Sequence, residues 1–171
     1  YHYVVDDAVR GTWRTDRGED APVRFAVVGH THGSEKFGHY PDRWTVARVR
    51  ELKPDFVVHA GDATFTCSPH EFEEHYFDVF ADLASETPVY IAPGNHDVGW
   101  PYHRGMETRP FKHLFPYPYP QGIVQDKEEL HYALRKGSVE LIFFSYMSPT
   151  GKGSAGSRGT PATCVPRCSA T

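Results

Sequence analysis

The sequence has 171 residues, 39% hydrophobic and 14% aromatic, with a formal net charge of −4 and no basic block. This length suits one domain with a hydrophobic core. The charge gives no indication of nucleic-acid or anionic-membrane partners. No apolar run is long enough to span a bilayer. Because the first residue is tyrosine rather than methionine, an N-terminal segment such as a signal peptide is expected to be missing. The cellular location stays open between the cytoplasm and a secreted or periplasmic site.

The N-terminal part of the chain leads from an irregular flank into a first strand. Residues 1–21 are polar and are predicted to be irregular, either as a linker or with Tyr3-Val4-Val5 as the tail of a strand. The apolar run 25–28 predicts a buried strand, and Gly29 allows a sharp exit from it. Two imidazoles follow at a spacing of two, those of His30 and His32. They are the first candidate site residues.

Two further strand-and-loop units follow the first. A β-branched run at 55–60 ends in Gly61 and Asp62, and the apolar run 89–93 ends in Gly94-Asn95-His96-Asp97. Continuous apolar runs without alternation are typical of strands covered on both faces, as in a parallel sheet. The loops at the carboxyl ends of such strands are where open α/β sheets bind ligands.

Helical patterns separate the three strands. Residues 41–52 have apolar members at roughly helical spacing, and residues 68–83 present a wide apolar face. Ser68 is a candidate N-cap with Pro69 at the first helical position and Glu71 at the third, which fits a capping box. The order is therefore β-α-β-α-β, and right-handed crossovers bring the three polar loops to one edge of the sheet.

The C-terminal third predicts a hairpin and then a tail. Residues 130–134 and 139–144 are apolar and flank a glycine-containing turn at 135–138. From residue 149 to residue 171 the chain is rich in Gly, Ser, Thr and Pro, cannot bury enough apolar surface to fold, and is predicted to be disordered. The folded unit is predicted to span 22–148.

The ordered trio of strand-end motifs resembles the calcineurin-like metallophosphoesterase family. The family pattern is D-x-H, then G-D, then G-N-H-[DE], each after a strand of a β-sandwich flanked by helices. Here the motifs stand as His30-Thr31-His32, Gly61-Asp62 and Gly94-Asn95-His96-Asp97. The resemblance covers roughly residues 22–148. It implies an α/β fold of that sandwich type, truncated in its C-terminal part.

The resemblance also implies roles for the motif residues. His32 would bind one metal ion, Asp62 would bridge two, and Asn95 would bind the second. His96 would hydrogen-bond a phosphate oxygen or protonate the leaving group, and Asp97 would hold the ring of His96. The implied cofactors are two divalent ions of the Mn, Fe or Zn type, which would lower the pKa of a shared water molecule and stabilise charge on the attacked phosphoryl group.

The implied function is hydrolysis of a phosphate mono- or diester by metal-activated hydroxide. The substrate would be a small-molecule or protein phosphoester. Asn95 and His96 would contact it, and Arg104 is a further candidate because a guanidinium matches phosphate oxygens in a bidentate manner. The competing interpretation of Arg104 is an ordinary residue of an aromatic- and proline-rich surface loop.

Two departures from the family pattern bear on activity. His30 stands where the family has aspartate, so a metal site that includes His30 lacks one negative charge and is expected to bind metal more weakly. The later histidine motifs of the family are absent, since no histidine follows His131. We therefore expect a truncated or frame-altered chain whose activity is impaired.

Other interpretations of the same residues remain open. His30 could be a substituted position that binds no metal, Asp62 could cap a turn, and Asn95 could serve only a left-handed turn. A non-catalytic scaffold or binding domain that keeps the fold without metals is the first alternative function. The second is a metal hydrolase of the PHP or amidohydrolase type, which also uses an H-x-H motif after a first strand; there His30 and His32 would both bind metal while Asn95 lies far away.

Overall fold

The computed structural model of the protein describes residues 1–6, 9–12, 15, 18–33, 42–98, 109–117 and 130–143. The predicted tail 149–171 lies outside these residues. None of the described helices is both long enough and apolar enough to cross a membrane.

A three-stranded parallel sheet forms the centre of the fold. Its strands are β3 (Phe25–Val28), β4 (Phe56–His59) and β5 (Val89–Ile91), in the order β3-β4-β5. The first residues of β3 and β4, Phe25 and Phe56, are paired with each other. The predicted parallel sheet is confirmed, because each of these short apolar strands pairs in parallel with its neighbour.

The first crossover helix is α1 (Arg43–Glu51). It begins two residues later than predicted because the Asp42 side chain accepts a hydrogen bond from the backbone N–H of Thr45 at 2.9 Å and so caps the helix. Lys53 follows the helix with φ of 49°, a left-handed residue of the kind that ends helices.

The second crossover is a helical segment with a change of pitch. It comprises α2 (Pro69–Glu71), a π-helical segment at Phe72–Phe77 and α3 (Asp78–Ala84). Ser68 is the N-cap and accepts from the backbone N–H of Glu71 at 3.1 Å, as predicted. The sequence pattern did not predict the π-helical segment.

Two hydrophobic cores cover the two faces of the sheet. The helices, including α4 (Arg109–Leu114), fill one face with a core that contains Val46, Val49, Phe72, Phe80, Leu83, Ile91 and Phe111. The antiparallel hairpin of β6 (Tyr132–Lys136) and β7 (Val139–Phe143) packs on the other face. The predicted hairpin is confirmed, although its first strand begins two residues later than predicted.

The N-terminal flank differs from the prediction. It contains an antiparallel pair, β1 (His2–Val5) and β2 (Val9–Thr12). The hydroxyl of Tyr3 donates to the carbonyl of Ser85 at 3.1 Å, and the backbone N–H of Thr12 donates to the same carbonyl at 3.3 Å. The expectation of an irregular flank is wrong for these residues, whereas the alternative of a strand at Tyr3-Val4-Val5 is confirmed by β1.

Candidate functional site

The loops after β3 and β4 run side by side beyond the ends of their strands. The backbone N–H of His30 donates to the carbonyl of Gly61 at 2.8 Å, and that of His32 donates to the carbonyl of Asp62 at 3.3 Å. These bonds continue the β3–β4 pairing into the loops. They bring the first two predicted motifs together at the carboxyl edge of the sheet.

Both loops contain strained backbone. His30 and Asp62 have φ of 55° and 57°, a left-handed conformation that costs a non-glycine residue about 1–3 kcal/mol. Gly61 has φ of 95°. A Cβ atom on Gly94 would collide with the backbone nitrogen and the carboxylate of Asp62, so only glycine permits the third motif to approach this closely.

Asp97 holds the second and third loops together. It is fully buried, and its Oδ2 accepts from the backbone N–H groups of Asp62 and Gly94, both at 2.8 Å. Its Oδ1 accepts from the backbone N–H groups of Ala63 at 2.8 Å and Thr64 at 2.9 Å, and from the Thr64 hydroxyl at 3.2 Å. Burial raises the pKa of Asp97 to about 6, against the lowering effect of its backbone donors. The ionised form therefore prevails at pH 7 and accepts all five bonds.

The ring of His96 is held by Phe65 and not by Asp97. The Nδ1 of His96 lies 2.8 Å from the carbonyl oxygen of Phe65, and the two rings stack with centroids 5.1 Å apart. The expectation that Asp97 orients this ring is wrong, because both oxygens of that carboxylate face backbone donors. The backbone N–H of His96 also donates to Oδ1 of Asp62 at 3.2 Å.

Three imidazoles and one carboxylate gather at this edge of the sheet. The ring centroids of His30 and His32 are 4.5 Å apart, and those of His32 and His96 are 5.1 Å apart. The Nδ1 of His30 lies 3.3 Å from Oδ2 of Asp62. Asn95 lies in the same loop as His96, with its backbone carbonyl accepting from the N–H of Val98 at 3.4 Å.

His32 has the state that a metal ligand requires. Its Nδ1 faces the carbonyl oxygen of Gly33 at 3.4 Å, so it carries the proton, and its buried Nε2 has no hydrogen-bond partner in the described part of the chain. Burial lowers the pKa of His32, and the neighbouring ring of His30 adds to the effect. A neutral imidazole with Nδ1–H on a backbone carbonyl and a lone pair on Nε2 is typical of metal-binding histidines.

The cluster fits a divalent cation in donor type but is not assembled around one. Imidazole nitrogens and the Asp62 carboxylate suit ions of the Mn, Fe or Zn class. Among the described ranges, no three side chains of His, Cys, Asp or Glu stand in an arrangement that could hold a metal ion. The imidazoles of His30 and His32, tilted by 59° to each other, would have to turn for their nitrogens to converge on one ion.

His59 is a buried polar residue beneath the loops, and it is not among the site residues predicted from the sequence. Its Nδ1 accepts from the backbone N–H of Gly61 at 3.2 Å, so the neutral ring carries its proton on Nε2 and donates to the Thr31 hydroxyl at 2.8 Å. Burial lowers the pKa of His59 to about 4. The sequence did offer a sign of this role, because His59 lies inside a strand predicted to be buried. A buried polar side chain needs hydrogen-bond partners.

Arg104, the candidate phosphate contact, lies outside the described residues. The other candidate residues all lie within the loops described above. His30, His32, Asp62 and His96 come together at one edge, and Asp97 lies beneath them as a structural acceptor.

Two comparisons with known proteins found similarity to this chain. The sequence model of the family described as calcineurin-like phosphoesterase matches residues 23–150. A purple acid phosphatase from yellow lupin (Lupinus luteus) seeds has a similar fold, with a TM-score of 0.59 and 17% sequence identity. That similarity covers 78% of this chain and 26% of the lupin chain, so the present chain spans about a quarter of the length of that structure. None of the curated proteins compared with the sequence matches it.

Proposed function

The chain belongs to the calcineurin-like phosphoesterase family, and from that premise we propose that it hydrolyses a phosphate ester with divalent metal ions. The ligands would be His30, His32, Asp62 and Asn95. The family match argues against the alternative of a PHP-type or amidohydrolase-type hydrolase, since it spans all three strand-end motifs in order.

One observation carries the proposal. The Asp62 carboxylate and the rings of His30, His32 and His96 gather where three strands end, and the buried Nε2 of His32 has no partner among the described residues. A buried polar atom without a partner is costly. A cation at this position would accept the lone pair of that nitrogen and offset the cost.

Bound ions of the Mn, Fe or Zn type would supply Lewis acidity and lower the pKa of a water molecule, as in other metal-dependent phosphoesterases. The residues of the chain do the rest. Asp62 would hold the ions through its carboxylate, with its backbone N–H fixed by Asp97 at 2.8 Å. Asn95 would offer its amide oxygen to the second ion and its amide N–H₂ to a phosphoryl oxygen.

His96 would handle the proton of the leaving group. Because its Nδ1–H is committed to the carbonyl of Phe65, proton exchange takes place at Nε2. When the ring is protonated, Nε2–H donates to the leaving-group oxygen; the bond between phosphorus and that oxygen breaks, and the oxygen takes the proton. The ring is then neutral, with its remaining proton on Nδ1.

Activity is expected to be weak because the site carries little negative charge. Asp97 uses both of its oxygens on backbone donors, which leaves Asp62, among the described residues of the cluster, as the carboxylate that can face cations. His30 supplies a neutral ligand where the family has an anionic one. Binding of two doubly charged ions to such a site is correspondingly weaker.

A second candidate function is a non-catalytic binding domain that keeps the fold without metals. The observation in its favour is that the buried carboxylate of Asp97 holds the loops at Asp62 and Gly94 together through hydrogen bonds to their backbone. Elemental analysis of the purified protein separates the two candidates. Metal that is lost on Asp62→Asn supports the phosphoesterase, whereas a metal-free protein that captures a partner supports the binding domain.

The function is tested by hydrolysis of an aryl phosphate by the 171-residue chain with added Mn²⁺. Activity that Asp62→Asn abolishes, together with loss of bound metal, is the expected result. The matched control is Asp82→Asn, which makes the same chemical change on an exposed face of α3 and should leave activity unchanged. Absence of both hydrolysis and stoichiometric metal in the folded wild-type chain contradicts the proposal.

A further inference from the structure

We propose that Glu71 is a positioning residue for His96, acting through the backbone of the loop at 65–66. The carboxylate Oε2 of Glu71 accepts from the backbone N–H of Phe65 at 3.0 Å and from that of Thr66 at 2.5 Å. Phe65 in turn holds the ring of His96. The functional consequence rests on the proposed phosphoesterase activity, but the positioning itself rests on these contacts.

The place of Glu71 in its helix directs its side chain back along the chain. Ser68 caps the helix by accepting from the backbone N–H of Glu71 at 3.1 Å, and Pro69 occupies the first helical position. A carboxylate is favoured near the N-terminal end of a helical segment. In a capping box this carboxylate would bond the N–H of Ser68. Here it reaches two and three residues further back, to Thr66 and Phe65.

The loop that Glu71 holds is bent and needs restraint. Cys67, between Thr66 and the helix cap, has φ of 58°, a left-handed conformation that is unfavourable for a residue with a side chain. The two hydrogen bonds to Glu71 offset this cost and fix the peptide planes on the N-terminal side of the bend.

Phe65 links Glu71 to the ring of His96. Its N–H is held by Glu71, and its carbonyl oxygen lies 2.8 Å from Nδ1 of His96. Its ring stacks on that of His96 with an interplanar angle of 21° and contacts that of His32 at 5.4 Å between centroids. A shift of Phe65 would therefore move both the backbone acceptor and the aromatic surface that hold His96.

The chemical consequence concerns which nitrogen of His96 carries the proton. A carbonyl oxygen can only accept, so the contact with Phe65 fixes the neutral ring as the Nδ1–H tautomer. The lone pair is then on Nε2. Without Glu71 the carbonyl is no longer fixed, and the ring becomes a mixture of tautomers and orientations.

The test is the tautomeric state of His96, read from long-range ¹H–¹⁵N correlations of the uniformly labelled, metal-free 171-residue chain. Comparison with His96→Asn assigns the signals. The wild type should show the Nδ1–H tautomer. Glu71→Ala should give a mixture, with faster solvent exchange of the ring N–H. Glu73→Ala, an exposed glutamate two positions further on, is the matched control and should leave the wild-type pattern.

Two conservative variants separate positioning from folding. Glu71→Gln keeps an oxygen that can accept both bonds and should retain the wild-type tautomer. Glu71→Asp keeps the charge at the start of the helix but is one methylene shorter, so it should lose the tautomer while remaining folded. An unchanged His96 pattern in folded Glu71→Ala or Glu71→Asp overturns the proposal.

A kinetic arm links the positioning to the proposed function. In Mn²⁺-loaded protein, Glu71→Asp should lower kcat about tenfold or more, in the range typical of a misplaced proton donor, and leave KM within about twofold. Altered tautomers in a chain whose wild type shows neither hydrolysis nor stoichiometric metal would support the positioning and contradict the phosphoesterase. An unaltered tautomer in a hydrolytically active chain would contradict the positioning alone.

Discussion

The carboxylate of Asp97 and the backbone N–H of Asp62, 35 positions apart in the chain, are joined by a hydrogen bond of 2.8 Å. The same carboxylate reaches Gly94, so one buried side chain sets the distance between the second and third motifs. The residue of Gly94-Asn95-His96-Asp97 that was expected to orient a catalytic ring is the one that holds the loops in place.

Replacement of Asp97 by asparagine should destabilise the protein. An asparagine offers one oxygen where two are used, and its amide N–H₂ would face backbone N–H donors. Losing several bonds to a buried charged acceptor should lower the free energy of unfolding by roughly 3 kcal/mol or more. Urea unfolding measures this. Asp82→Asn, at an exposed position, should stay within about 0.5 kcal/mol of wild type; equal midpoints for the two variants would refute the role of Asp97.

The pH dependence of stability should reveal His59. Its pKa falls from 6.5 in the unfolded chain to about 4 in the folded protein. The unfolded state therefore binds the proton more tightly, so His59 makes the protein less stable as the pH falls from 6.5 to 4, by roughly 3 kcal/mol in total. Asp97 opposes this trend. Its raised pKa means that the folded state takes up a proton first as the pH falls through 6, which adds stability.

These opposing effects make His59→Gln an informative variant. The variant lacks the loss of stability that His59 causes at low pH, whereas the contribution of Asp97 is common to variant and wild type. The free energy of unfolding of the variant, relative to that of wild type, should therefore rise as the pH is lowered from 6.5 to 4. Chemical denaturation at several pH values measures the difference. Parallel pH profiles for variant and wild type would show that His59 titrates alike in both states.

Gly94→Ala should disrupt the loops by steric overlap. The new methyl group would meet the backbone nitrogen and the carboxylate of Asp62, which are held by hydrogen bonds with Asp97 and with the backbone N–H of His96. The comparison is Gly29→Ala, whose Cβ would lie 3.2 Å from Cβ of Ala60 and requires only a small adjustment. We expect Gly94→Ala to lower the free energy of unfolding by about 1–3 kcal/mol more than Gly29→Ala does. The reverse order of urea midpoints would contradict this account.

His30→Asp should strengthen metal binding. It places an anionic oxygen ligand where the family has one. Aspartate also tolerates the left-handed backbone of this position, with φ of 55°, better than most residues do. Calorimetric titration with Mn²⁺ should show affinity about tenfold or more above that of wild type, the order expected for one added charge next to a divalent ion. His2→Asp, on the exposed strand β1, is the control; equal gains for both variants would indicate a nonspecific charge effect.

The parts of the fold that were predictable are those that local chemistry determines. The run 25–28 is apolar throughout and became a strand of a parallel sheet, and Ser68 is a short polar residue before proline and became a helix cap. The convergence of the His32 and Asp62 loops also followed, because parallel strands end at a common edge. Each of these predictions needed only neighbouring residues and the rule for crossovers.

The parts that escaped prediction depend on contacts between distant residues. Every residue has a backbone carbonyl, so the sequence could not identify that of Phe65 as the partner of His96. Both strands of the β1–β2 pair bond the carbonyl of Ser85, far along the chain. The role of Asp97 was assigned by resemblance to the family. Only the structure shows that five hydrogen-bond donors surround its carboxylate, so that it does not orient the ring of His96.

The outer strand of the parallel sheet has a consequence for how the protein behaves in solution. β3 pairs with β4 on one side, and the described part of the chain contributes no strand to its other side. Val27 on this strand is 57% exposed. A strand edge with an exposed apolar side chain and no neighbouring strand among the described residues can pair with a strand of another molecule. The stability and activity measurements should therefore be made at more than one protein concentration. Results that agree between dilute and concentrated samples describe the monomer rather than a self-associated form.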